Sequence, residues 1–141
     1  LRYVSMTQQE VSPDSQERQA GFLAAFKARG LCARPEDVVN ILKNATAESP
    51  AFRRLASGAA GYTAALCAST RMAEQLARAA HRAGRSVPQD LAIHCFQGLR
   101  SSAPFPGPAI DFHAIGREAV RLASQPRRPA IIRRIACTER K

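Results

Sequence analysis

Short apolar runs alternate with amphipathic segments along the chain, and this alternation constrains the fold more than any other feature of the sequence. Each run has the length and composition of a buried strand. Between the runs, apolar residues recur at helical spacing, most clearly at Met72, Leu76, Ala79, Ala80 and Ala83. The pattern predicts an α/β fold in which a three-layer, doubly wound parallel sheet carries helices on both faces. The four runs lie at residues 1–6, 37–42, 63–68 and 91–96.

The predicted helices carry start and stop signals. Asp14 and Glu17 have the spacing of a capping box at the start of the first helix. Gly30 ends that helix, and Gly84 ends the helix after the third strand. Asp111 is the predicted N-cap of a last helix. The apolar stripe of this helix comprises Phe112, Ile115, Ala119 and Leu122.

The order of the strands predicts where a ligand would bind. Ile131 and Ile132 indicate a final short strand, and we expect the order 2-1-3-4 with this late strand at an edge. Ligands of such sheets bind beyond the carboxyl ends of the strands. The segments that follow the four strands are residues 7–15, 43–46, 69–71 and 97–100.

A net charge of +10 is typical of proteins that bind nucleic acids. The basic residues are nevertheless scattered along the chain and cluster only at 127–128 and 133–134. The chain has no Trp for stacking on bases and no recognisable helix-turn-helix. We therefore expect weak, salt-dependent DNA binding at most, without sequence preference.

The four cysteines indicate the cellular compartment of the protein and do not predict a disulfide scaffold. Cys32, Cys67, Cys95 and Cys137 form no C-x-x-C pair and have no His at zinc-ligand spacing. Cys67 and Cys95 lie in apolar runs, where a thiol behaves as a small hydrophobe. This usage favours a reducing cytoplasm and predicts neither a metal nor a cofactor. No run approaches the ~18 apolar residues of a membrane span, so no membrane partner is expected.

The sequence contains little evidence of enzymatic activity. The motifs G-x-G-x-x-G, G-x-x-x-x-G-K-[ST] and G-x-S-x-G are absent from it. His81, His94 and His113 lie in different elements, and His94 is interpreted as a satisfied core histidine. Since no nucleophile is paired with a base, we expect no catalysis. A doubly wound enzyme of unknown type is a remaining alternative.

Five segments, in this order and spacing, together resemble the LacI/GalR family of transcriptional regulators. The similarity lies in the family's effector-binding domain, which has a periplasmic-binding-protein-like fold. The stretch with Val87-Pro88 and Asp90 is the most specific of the five. The segments are ERQAGF at 17–22, ASTRMA at 68–73, AGRSVPQDLAI at 83–93, CFQG at 95–98 and IGREAV at 115–120.

The resemblance implies the C-terminal part of that domain. Residues 1–107 would form its C-terminal lobe, 108–126 would cross into the other lobe, and 127–141 would be a return strand and tail. The implied function is small-molecule sensing and dimerisation in a cytoplasmic bacterial regulator, typically a repressor. Operator DNA would be bound only through an N-terminal helix-turn-helix that this sequence lacks. A periplasmic solute-binding protein of the same fold is the alternative.

The resemblance also implies ligand-binding residues. The family's Arg at the position of Arg18 clamps the effector, and its carboxylates stand where this chain has Thr70 and Gln97. Loss of two carboxylates favours a less hydroxylated or anionic effector over a typical sugar. Asp14 and Asn44 are further candidates, although turn and capping roles explain them equally well.

The family's side-by-side homodimer implies an interface on this lobe. The candidate anchors are Leu99 and Phe105, two apolar residues in a polar, Pro-rich loop, together with Met72 on the neighbouring helix. The alternative is that these side chains pack onto the core of their own chain.

Overall fold

The protein is described by a computed structural model that covers residues 3–8, 13–42, 44–98, 104–124 and 138–140, with the backbone alone at 3–8, 97–98 and 138–140. Four parallel strands form the main sheet in the order β2-β1-β3-β4, which confirms the predicted order. The predicted runs exceed these strands by one or two residues at most ends. The strands are β1 (Tyr3–Gln8), β2 (Val38–Ile41), β3 (Ala64–Cys67) and β4 (Ala92–Cys95).

Three helices connect these strands: α1 (Pro13–Ala28), α2 (Pro50–Ala56) and α3 (Thr70–Arg82). Right-handed crossovers place α1 on one face of the sheet and α2 and α3 on the other. The predicted doubly wound, three-layer architecture is therefore confirmed. Among the described helices, none is long and apolar enough to cross a membrane.

The hydrophobic core lies between the sheet and the α2–α3 face. Phe52 and Leu55 of α2 pack there with Leu76 of α3, and all three side chains are almost fully buried. Ile93 and Cys95 of β4 complete the same cluster. On the other face, α1 buries Phe22 but leaves most of its surface exposed.

Helix α3 follows the predicted stripe closely. Met72, Leu76, Ala79 and Ala80 are buried, whereas Ala83, also expected on this stripe, is the exposed C-cap. Ser69 caps the N-terminus by accepting a hydrogen bond from the Met72 amide at 3.4 Å. Gly84 has a φ of +73°, a conformation that lets it end the helix without a Cβ clash.

A second, three-stranded sheet follows the main one. It contains β5 (Gln97–Gly98), β6 (Gly107–Ile110) and β7 (Thr138–Arg140), in the order β5-β6-β7. Strand β7 pairs antiparallel with β6. The predicted strand at Ile131 and Ile132 lies outside the described residues.

The last helix, α4 (Phe112–Ala123), begins at the predicted N-cap, since the Asp111 carboxylate accepts a hydrogen bond from the Ala114 amide at 2.8 Å. Its apolar stripe is not covered by the described residues. Phe112 is 64% and Ile115 is 41% exposed. The boundaries predicted at 107 and 126 remain predictions.

Three sequence-based expectations are wrong. Phe105 and Met72 lie in the core of their own chain, so neither side chain is available as a dimer anchor; the third anchor, Leu99, lies outside the described residues. His94 is exposed rather than buried, because it faces the side of β4 opposite to Ile93 and Cys95, which pack into the core. Asp14 is not an N-cap, because α1 already begins at Pro13, a residue suited to a first helical position.

Candidate functional site

Arg18 lies at the carboxyl edge of the main sheet, where a ligand is expected. It projects from the second turn of α1, and its Nη1 donates a hydrogen bond to the carbonyl oxygen of Ala68 at 3.0 Å. Ala68 directly follows β3 and is itself buried. The contact therefore fixes the guanidinium above the end of a central strand.

Two further contacts hold the Arg18 side chain. Asp14, one helical turn earlier, forms an ion pair with Nη2 of Arg18. The Phe96 ring, directly after β4, lies beneath the guanidinium, with 5.3 Å between Cζ and the ring centroid. The side chain of Arg18 nevertheless keeps 26% of its surface exposed, so the group can still meet a ligand.

Thr70 is the first residue of α3 and lies two residues after Ala68. Its Oγ1 is 3.9 Å from the Sγ of Cys95, within reach of a weak hydrogen bond. Cys95 pairs in register with Cys67 on the neighbouring strand. Burial raises the pKa of both thiols, although the Thr70 contact partly opposes this for Cys95. The two cysteines are therefore inert packing groups at the floor of the site.

The structure brings together some of the predicted site residues and not others. Arg18 and Asp14 are in direct contact, and Thr70 follows the same strand end as Ala68. Asn44 lies after β2 and is exposed, and no hydrogen bond joins it to Arg18 among the described residues. The backbone of Gln97 begins β5, and its side chain lies outside what is described.

Ala68 and Phe96 are the site residues that the sequence analysis missed. Each is the first residue after its strand as the structure has it, whereas the predicted runs ended one residue later and made each the last residue of a strand. Phe96 is also tied to the neighbouring strand, since its amide donates to the Cys67 carbonyl at 3.1 Å. Exact prediction of the two strand ends would have identified both residues.

The arrangement is suited to binding. It provides a planar cation on an aromatic ring, a hydroxyl and a carboxylate, with no activated nucleophile. The described residues contain no group of three or more His, Cys, Asp or Glu side chains that could hold a metal ion. Such a site can hold an anionic or polar group against an apolar floor.

Comparison with known proteins identifies the family to which this chain belongs. A family model for the periplasmic binding protein-like domain matches residues 1–130. The chain belongs to the periplasmic binding protein-like domain family. This family and its structural neighbours confirm the resemblance to effector-binding domains of LacI-type regulators. A comparison with curated protein sequences gave no match.

Several solved structures of this family are similar to the chain. A Burkholderia thailandensis protein assigned as a ribose operon repressor is 27% identical over 85% of the chain, with a TM-score of 0.68. The transcriptional regulator CelR in complex with cellobiose is 25% identical over 86% of the chain, with a TM-score of 0.72. A LacI-family regulator from Lactobacillus casei with bound sucrose, 16% identical over 99% of the chain with a TM-score of 0.75, shows the shared fold.

The chain spans only part of these proteins. The regions of similarity cover 45% of the Burkholderia protein, 38% of CelR and 55% of the Lactobacillus protein. The Burkholderia protein is described as an operon repressor and CelR as a transcriptional regulator.

Proposed function

We propose that this chain is the ligand-sensing part of a bacterial transcriptional regulator, and that it binds a small-molecule effector at the carboxyl edge of its main sheet. The observation that carries the proposal is the placement of Arg18. Its guanidinium is held by Asp14, the Ala68 carbonyl and the Phe96 ring, while part of it stays exposed. Because these contacts already restrict the conformations of the Arg18 side chain, ligand binding costs less conformational entropy.

The chemistry of the site favours an effector with an anionic or strongly accepting group. Arg presents several N–H donors in a planar fork, which matches carboxylate or phosphate oxygens. Thr70 adds one hydroxyl, which can donate and accept. The cellobiose bound to the similar regulator CelR supports a small polar effector.

The proposal extends to partners and compartment. Cys32, Cys67 and Cys95 are thiols, which supports a reducing cytoplasm. We infer a homodimer whose contact uses the exposed side of α3, since Met72 and Phe105 belong to the core. Residues 108–126 would cross into a second lobe, and operator DNA would be bound by a separate N-terminal domain. Catalytic activity is not part of this function.

A ligand screen followed by NMR tests this function. Sugars, sugar phosphates and dicarboxylates are first ranked by their effect on the thermal unfolding of the protein. The best ligand is then titrated while amide shifts are recorded. We expect the largest changes at Arg18, Thr70 and Phe96, at the carboxyl edge. Changes confined to the opposite end of the sheet would contradict the proposed site.

A further inference from the structure

A cavity of about 270 Å³ lies between strand β2 and helix α2, separate from the site just described. Glu36 and Tyr62, which line it, come shortly before β2 and β3. The cavity is therefore located toward the amino ends of the strands, whereas Arg18 lies at their carboxyl edge. The lining residues used below are Glu36, Val39, Ala51, Arg54, Leu55 and Tyr62.

The inner wall of the cavity is apolar and continues the hydrophobic core. Val39 comes two residues before the core residue Ile41, so its side chain faces the same side of the sheet. Leu55 is buried, and Val39 and Ala51 are half-buried against the core cluster. Helix α2 therefore leaves part of this apolar surface open to the cavity. An apolar group of a ligand would remove that surface from water, which favours binding.

The cavity also offers a cation. Arg54 is exposed, and its guanidinium makes no hydrogen bond or ion pair with the other described residues. The acidic residue of the lining, Glu36, already faces Arg34, with 3.5 Å between its Oε1 and the Nε of Arg34. The charge left to attract a ligand is therefore positive. An Arg side chain presents its N–H donors in a planar fork, which matches the two oxygens of a carboxylate.

The end wall of the cavity is fixed before any ligand binds. The Tyr62 hydroxyl donates to the Glu36 carbonyl at 2.7 Å, and the Tyr62 carbonyl accepts a hydrogen bond from Nη2 of Arg85 at 2.9 Å. Tyr62 is 3% exposed and Leu55 is equally buried, so neither side chain has to be ordered by a ligand. A preformed apolar pocket with one well-placed polar group is the usual form of a small-molecule site.

We propose that this cavity is a second ligand site, which binds a small monocarboxylate with an apolar body. The body lies against Val39, Ala51 and Leu55, and the carboxylate lies on Arg54. Both parts are required, because an exposed arginine alone holds a free anion only weakly. The site is independent of the effector site at Arg18, and each can be tested without the other.

An NMR titration with 4-methylbenzoate tests this inference, because amide shifts report the two sites separately. We expect saturable changes at Val39, Ala51 and Tyr62, with a Kd of roughly 0.1–1 mM, the range for a ligand of about ten heavy atoms. Two matched probes divide the ligand into its parts. 4-Methylbenzamide keeps the ring without the charge, and acetate keeps the charge without the ring. Each should bind at least about fivefold more weakly than 4-methylbenzoate.

Three variants test the lining. Arg54→Ala should weaken binding of 4-methylbenzoate about fivefold or more, the scale for losing a charged hydrogen bond. Arg53→Ala is the matched control, because Arg53 is exposed on the same helix and does not line the cavity. Its affinity should stay within about twofold of the unaltered protein. Ala51→Leu fills the cavity and should weaken binding, while thermal unfolding shows that the variant remains folded.

Four results would overturn the inference. They are the absence of saturable changes at these amides, equal effects of the two Arg variants, undiminished binding by folded Ala51→Leu, and binding of the amide or of acetate as tightly as 4-methylbenzoate. Changes confined to Arg18, Thr70 and Phe96 would also exclude this second site, while they would support the effector site proposed above.

Discussion

Nη1 of Arg18 donates a 3.0 Å hydrogen bond to the carbonyl oxygen of Ala68, fifty residues further along the chain. This contact joins α1, on one face of the sheet, to the end of the central strand β3. Because the Ala68 carbonyl belongs to a buried residue, it would otherwise lack a strong partner at the strand end. The bond gives Arg18 a fixed position over the candidate site.

Gly107 should be intolerant of any side chain. Its φ is +147°, and a Cβ built there would lie 2.2 Å from the carbonyl oxygen of Cys95. Both the conformation and the contact with β4 therefore oppose a larger residue. We expect Gly107→Ala to lower the free energy of unfolding by at least about 2 kcal/mol, measured by urea denaturation.

Gly116 provides the matched control for this substitution. It lies within α4, and a Cβ there would meet nothing within 4 Å. Gly116→Ala should leave the free energy of unfolding unchanged or raise it by up to about 1 kcal/mol. Equal losses in the two variants would show that the close approach of Gly107 to Cys95 is not the cause.

The buried carboxylate of Asp37 makes stability depend on pH. Burial opposes its charge, but hydrogen bonds from the Arg34 amide and guanidinium and from the Tyr62 hydroxyl prevail and lower the pKa of Asp37 below its usual 3.8. A lowered native pKa contributes stability that is present above the unfolded-state value and is lost as the pH falls through the native value.

Urea denaturation at several pH values between about 6 and 3 measures this contribution. Asp37→Asn should be destabilised relative to the unaltered protein at the upper end, and the difference should shrink as the pH falls. Tyr62→Phe removes one of the donors and should show the same trend at smaller amplitude. A difference that stays constant with pH would mean that Asp37 acts through packing alone.

Phe105 should behave as a core residue and not as a dimer anchor. It is only 9% exposed and belongs to the core cluster. Phe105→Asp should therefore lower the free energy of unfolding by about 3 kcal/mol or more. Phe112→Asp, at a position 64% exposed, should change it by less than about 0.5 kcal/mol. A Phe105 variant that stays fully stable but sediments as a smaller species would restore the interface role.

We expect an anionic or weakly hydroxylated effector, because the resemblance to LacI/GalR regulators implies that Thr70 and Gln97 stand where that family has carboxylates. Calorimetric titration with a hexose and its phosphate ester provides a matched pair of ligands. The unaltered protein should prefer the phosphate ester, and the pair of changes Thr70→Asp and Gln97→Asp should reverse the preference by about tenfold or more. An acidic residue at the start of α3 is tolerated by the helix dipole. Micromolar or tighter binding of the neutral hexose by the unaltered protein would contradict this assignment.

The sheet was predictable because its determinants are local. Apolar runs of strand length and helices ended by Gly30 and Gly84 require only a reading along the sequence. In the order β2-β1-β3-β4, right-handed crossovers place α1 on one face of the sheet and α2 and α3 on the other. Arg18 was identified from the resemblance to LacI/GalR regulators, since it lies outside residues 7–15, the segment expected to follow the first strand.

The remaining features depend on contacts between distant residues. Burial of Phe105 and exposure of Phe112 are decided by which element covers each side chain, and both residues are equally apolar in sequence. The exposure of His94 follows from the side of β4 that it faces, which is opposite to the core, and this is a property of the assembled sheet. Ala68 belongs to the site through its backbone carbonyl. Such a contact does not depend on the residue type and cannot be predicted from it.

Calorimetric titration of Arg18→Ala with the best ligand from the screen tests the central claim most directly. In the intact protein we expect affinity to fall by about 2–3 kcal/mol, the scale for losing a charged hydrogen-bond partner, while the fold survives. Arg29→Ala is the control, because Arg29 is exposed just beyond the end of α1 and should leave affinity unchanged. Unchanged affinity in Arg18→Ala, or an equal loss in Arg29→Ala, would contradict the assignment of Arg18 as the effector clamp.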